Sequence, residues 1–196
     1  MSTYSQTPKG KWLTTTFARR LVALLFVSAV IHAASANAST VRAGDRLPPV
    51  QLADWNGGSF DLAQLHGRAV VIDFWASWCA TCQAALPALD AISRRHPELV
   101  VVAINIDKSQ APAARFLAER VPQPHMALLR DPDGATLARF GAAGLPALYV
   151  IDRDGVVQHV EAGYAVDRLP AVEAMLDNLL HPALAVTAGA GEPVPR

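Results

Sequence analysis

Cysteine is almost missing from this chain, with 2 among 196 residues. Two cysteines cannot form the multi-bridge framework that small disulfide-rich domains use in place of a core. They also fall short of the four or so ligands of a structural zinc site, and no His stands at knuckle spacing from them. No Met- or His-rich tract accompanies them, so little supports a copper(I)-handling module. There is no net charge, with 17 Lys and Arg against 17 Asp and Glu. There is also no basic stretch able to track a phosphate backbone, which argues against nucleic acid as a partner. Internal repeats are absent.

What is present begins with an N-terminal targeting pattern. Lys9, Lys11, Arg19 and Arg20 precede an apolar run from Leu21 to Ile31, broken only by Ser28. Ala34-Ser35-Ala36 and Ala36-Asn37-Ala38 follow, each a small-x-small cleavage pattern. Residues 1–38 therefore read as a signal peptide. The run is short for a spanning helix, which needs about 20 residues. An uncleaved membrane anchor is the alternative, if the run extends through Ala38. No Cys lies near the cleavage patterns, which excludes a lipid-anchored lipoprotein. Without these four basic residues the remainder carries a net charge of about −4.

Residues 43–181 read as one domain. Asn56-Gly57-Gly58 signals a hairpin within Gln51–Asp61. Ala69–Trp75 (AVVIDFW) and Leu99–Ile106 (LVVVAINI) are apolar enough for strands buried on both faces. The spacing predicts a helix from the cysteines to about His96, with Ala85, Leu89, Ile92 and His96 on its core face and Gln83, Asp90 and Arg94 outward. Pro87 inside it is expected to kink it. A helix over Ala111–Val121, a strand over Met126–Leu129 and a short helix over Ala135–Phe140 follow. Strands Ala147–Ile151 and Val156–Ala162 flank an Asp154-Gly155 turn, and a last helix covers Leu169–Leu180. Residues 183–196, rich in Ala, Gly and Pro, read as a flexible tail. This order is an α/β fold, a mixed central sheet flanked by helices.

The two cysteines, Cys79 and Cys82, sit between the first buried strand and a helix. Unpaired N–H groups and the dipole at a helix N-terminus favour a thiolate on Cys79. Cys82, three residues on, shares its helix face and is within reach. Cys79 can then attack a disulfide, and Cys82 can resolve the mixed disulfide. A purely structural staple would close too small a loop to gain much. Trp75 reads as core. Trp78 reads as exposed over the thiols. The histidines at 66, 96, 125, 159 and 181 are scattered and read as structural or surface residues.

The segment VVIDFWASWCATC resembles the thioredoxin active site, and Gly144–Asp152 (GLPALYVID) resembles its second signature. That resemblance implies a cis-proline at Pro146, packed against the cysteine pair. It also implies an extended substrate docked along Ala143, Gly144 and Leu145. The 39 positions from Asp107 to Pro146 hold an extra strand and helix. With the N-terminal hairpin and signal-like segment, the chain resembles the TlpA/ResA-like branch of exported thiol–disulfide oxidoreductases over roughly Ala43–Leu180.

The resemblance implies a periplasmic or otherwise extracytoplasmic protein that needs no bound cofactor or metal. It would be mainly a reductant, often serving cytochrome c maturation, with a disulfide-containing protein as substrate and a membrane thiol as electron donor. The chain is expected to act as a monomer. Implied site residues are Cys79 (nucleophile), Cys82 (resolving), Asp73 (proton acceptor), and Trp78, Leu145 and Pro146 (substrate contacts).

Two positions depart from that branch: Asp73 stands where many members carry Asn, and Ala85 where they carry an acidic residue. Asp73 instead resembles the buried carboxylate of thioredoxins, without its Lys, whose position is Ala103. A carboxylate is costly to bury ionised, so its pKa is expected to rise. The alternative is that Asp73 faces solvent or caps a turn. A disulfide-donating oxidant and a copper(I)-binding thiol module are the rival functions. A peroxidase is disfavoured, because Ala76 stands where a Thr or Ser would precede the reactive Cys.

Overall fold

The computed structural model describes residues 40–181. The expected signal segment and tail lie outside them. Strands β1 (Gln51–Asp54) and β2 (Ser59–Asp61) form the expected antiparallel hairpin. Its turn is held by the Asp54 carboxylate, which accepts from the Asn56 and Gly58 amides at 2.8 and 2.9 Å. Gly57 takes φ of 88°, a left-handed conformation that strains residues with a side chain.

Then come β3 (Val70–Trp75), α1 (Ala80–Arg95), β4 (Val100–Asn105), α2 (Gln110–Arg120), β5 (Ala127–Arg130), α3 (Ala135–Phe140), β6 (Ala147–Ile151), β7 (Val157–Ala162) and α4 (Leu169–Leu180). From β3 onward each boundary falls within one residue of its expected place. The strands form one mixed sheet in the order β2-β1-β5-β4-β3-β6-β7. Strand β3 pairs parallel with β4 and antiparallel with β6. That central place explains its near-continuous apolar run, and all six of its residues are buried.

Successive side chains of β3 enter opposite layers. Val71 and Trp75 join Cys79, Cys82, Ala85, Leu89, Val172 and Leu176 in the core under α1 and α4. Val70, Ile72 and Phe74 join Leu62, Leu65, Phe140 and Tyr149 on the other face. Alternation therefore puts Asp73 on the face that carries the cysteines. Phe74, Phe140 and Tyr149 meet edge to face, with centroids 5.0–6.0 Å apart. The Tyr149 hydroxyl also donates to the Phe140 carbonyl at 3.2 Å. This cluster fixes the end of α3, from which the chain runs through residues 142–145 to a cis Leu145–Pro146 bond.

One expectation fails on α1. Asp90 was expected on the outward face, yet it is buried. Its carboxylate accepts from the Arg94 guanidinium at 2.9 Å and from the His125 amide. The loop before β5 folds over that face of the helix, and Ser93 also bonds His125 there. Helix α1 runs on through Pro87. Among the described residues, no helix is long and apolar enough to cross a membrane.

Candidate active site

The site forms where β3 ends and α1 begins. Residues 76–78 make the turn between them, and the end of β4 holds that turn in place. The Asp107 carboxylate accepts from the Ser77 amide at 2.8 Å, the Ser77 hydroxyl at 2.9 Å and the Asn105 side-chain amide at 2.7 Å. From the other side, Gln83 Nε2 donates to the Ser77 carbonyl at 2.6 Å. Asp107 and Asn105 are both buried, so these bonds form away from competing water.

Cys79 is the N-cap of α1 and is joined to Cys82 by a disulfide, with Cα atoms 5.2 Å apart. Its Sγ accepts the Cys82 amide at 3.2 Å and lies 3.3 Å from Thr81 Oγ1. The two sulfurs are unequal. Cys79, itself only 8% exposed, lines an open groove, whereas Cys82 is 0% exposed and lines none of it.

One stretch of the groove's lining, Trp78, Ala80 and Thr81, adjoins Cys79 in sequence; Ile106, Leu137 and residues 142–145 come from elsewhere in the chain. None of these residues is charged. Trp78 is 67% exposed, an unusual placement for so large an apolar side chain. Trp75 is wholly buried, as expected. Leu145 lines the groove, while Pro146 is buried behind it and its carbonyl accepts the Gly163 amide at 2.8 Å.

Asp73 neither faces solvent nor caps a turn, since it is fully buried in mid-strand. Its cross-strand neighbours are Ala103 on β4 and Leu148 on β6, so no cation faces it across the sheet. Burial pushes its carboxyl up to about 8, opposed by a hydrogen bond from the Tyr164 hydroxyl to Oδ1 at 2.9 Å. Oδ2 has no protein partner. The Tyr164 hydroxyl is itself pushed upward, first by burial and then by the adjacent Asp73. Tyr164 was not found from sequence. It stands 91 positions from Asp73, and the one clue was that a buried carboxyl needs a donor.

None of the five described histidines lines the groove, and His96 instead pairs with Glu173 at 3.2 Å. Among the described residues, no three His, Cys, Asp or Glu side chains gather as a metal site. The arrangement offers an accessible sulfur at a helix N-terminus, a buried partner sulfur, and a protonatable carboxyl on the same face of the sheet. That is the equipment for thiol–disulfide exchange.

Comparison with known proteins agrees with this chemistry. The Redoxin family matches residues 42–176. The thiol-disulfide oxidoreductase ResA of Oceanobacillus iheyensis is 27% identical over 165 residues, covering 77% of this chain and 83% of the relative. A Chlorobium tepidum crystal structure, provisionally designated a thiol:disulfide interchange protein DsbE, superposes with a TM-score of 0.63 at 30% identity. The match covers 74% of this chain and 99% of that one. A secreted Mycobacterium tuberculosis disulfide oxidoreductase superposes at 0.56 with 26% identity, over 64% and 95% of the two chains. The chain thus belongs to the Redoxin family, and it is a thiol–disulfide oxidoreductase with a thioredoxin-like fold, similar to the ResA and DsbE proteins.

Proposed function

We propose that the chain works outside the cytoplasm as a reductant of protein disulfides. The observation that carries the exchange chemistry is the asymmetry of the pair: Cys79 lines the groove, while Cys82 is buried on the face that holds Asp73; the reductant direction rests on the resemblance to the TlpA/ResA-like branch. In the reduced protein the Cys79 thiolate attacks one sulfur of a substrate disulfide. A Cys79–substrate disulfide forms, and the first substrate sulfur leaves as a thiolate that takes a proton from water. In the fraction of molecules in which Asp73 is ionised, Cys82 then gives its proton to Asp73 Oδ2, and its sulfur attacks Cys79 Sγ. The Cys79–Cys82 disulfide forms, and the second substrate sulfur leaves. The substrate gains two electrons and the pair loses two. A base whose pKa lies near the working pH suits the proton step.

The uncharged groove and the residues at 143–145 suit an extended substrate segment, with Trp78 and Leu145 as its side-chain contacts and Pro146 as the buried support behind them. Export rests on the signal-like residues 1–38, which equally allow retention as an anchor. A membrane thiol donor would return the pair to its reduced form. The heme-attachment cysteines of an apocytochrome c are one substrate of the required kind.

The rival reading, a disulfide donor, differs in the sign of electron flow. The reduction potential of the Cys79–Cys82 couple against glutathione decides between them. A value near about −270 mV supports the reductant, and one near about −120 mV overturns it in favour of the oxidant.

A further inference from the structure

The residues between the cysteines, Ala80 and Thr81, carry no sequence signal for the direction of electron flow. The structure gives one of them a contact. Thr81 Oγ1 lies 3.3 Å from Cys79 Sγ. Cys79 is in a disulfide and has no S–H, so the hydroxyl is the donor. Thr81 occupies the second position of α1, in its first turn, one residue past the N-cap neighbour Ala80.

We infer that Thr81 is a catalytic residue whose hydroxyl donates a hydrogen bond to the Cys79 thiolate. On reduction the S–S bond takes up two electrons, Cys82 takes a proton, and negative charge remains on Cys79 Sγ. Two donors already meet that atom, the Cys82 amide at 3.2 Å and the Thr81 hydroxyl. Hydrogen bonds to a charged acceptor are stronger than those to a neutral one, so the Thr81 bond tightens as the thiolate forms. It therefore favours the reduced pair over the disulfide, which makes the couple more oxidising and the protein a milder reductant than it would be without the hydroxyl. It also raises the fraction of Cys79 present as the attacking thiolate.

Beyond the N-terminus of α1 itself, no charged side chain among the described residues supplies this effect. The groove walls are uncharged. Of the ionisable groups reaching the site from the sheet, Asp73 on β3 is held protonated by burial and Asp107 after β4 is acidic, so neither favours a thiolate. Gln83, on α1, is neutral.

The inference rests on the thiol–disulfide reading of the pair, and the test separates the two. Thr81→Val keeps the shape and removes the hydroxyl; Thr81→Ser restores it. Two quantities are measured on the full-length protein. One is the Cys79 pKa, from the pH dependence of alkylation by iodoacetamide. The other is the equilibrium of the pair with reduced and oxidised glutathione. Thr81→Val is expected to raise the pKa by about one unit and to shift the equilibrium about tenfold toward the disulfide, which is about 30 mV for a two-electron couple. Thr81→Ser is expected to return both to within about twofold of the parent. An unchanged pKa and equilibrium in Thr81→Val, or a Thr81→Ser variant that behaves like Thr81→Val, overturns the role of Thr81 alone. A parent protein that does not exchange with glutathione overturns the redox reading as well.

Discussion

Replacing Asp73 by Asn is expected to reverse sign in its effect on stability as pH rises. Asn keeps the shape of the carboxyl but carries no titrating proton. In the parent, the Asp73 carboxyl titrates near 8 when folded and near 3.8 when exposed in the unfolded chain. Between those values the folded protein holds a proton that the unfolded chain has lost. The contribution of this raised pKa is therefore fully present below about 3.8. It declines as pH rises and is lost once pH passes about 8. Each unit is about 1.4 kcal/mol, so the whole interval costs the parent roughly 6 kcal/mol.

Asn escapes that loss but buries an amide with an unpaired donor, at a cost of about 1–3 kcal/mol. Asp73→Asn should thus be less stable than the parent near pH 4 by about 1–3 kcal/mol. Above pH 8 it should be more stable by roughly 3–5 kcal/mol, with a crossover at about pH 4.5–6. Urea unfolding of the disulfide form at half-unit steps from pH 4 to 9 measures this. A difference between the two proteins that stays flat across that range would refute a buried, protonated Asp73.

Other expectations concern the turn and the groove. Asp107→Ala removes the acceptor of three donors and is expected to cost about 3 kcal/mol, read as a fall in the urea midpoint. Trp78→Ala removes an exposed side chain and is expected to change stability by under about 0.5 kcal/mol, while raising KM for insulin reduction several-fold. A stability loss with an unchanged KM would show that Trp78 packs rather than docks.

Much of the scaffold is legible in sequence because its signals are local. The run from Val70 to Trp75 is apolar because β3 is central, and Leu145–Pro146 is cis where its motif implied. Asp73 is buried because nothing in that strand reaches solvent. What was missed depends on distant chain segments meeting. Helical spacing alone sends Asp90 outward, but the loop at His125 arrives from 35 residues away and covers it. Tyr164 reaches Asp73 only because the chain after β7 returns to that face. Ser77 and Asp107 bond because β3 and β4 are parallel neighbours, which places the ends of both strands together.

The central claim is that Cys79 attacks and Cys82 resolves. Trapping with Cys82→Ser in the compartment where the full chain resides tests it most directly. The account predicts mixed disulfides joined through Cys79, which mass spectrometry would identify together with their partners, and none in Cys79→Ser. Partners trapped equally well by Cys79→Ser, or by neither variant, would contradict it.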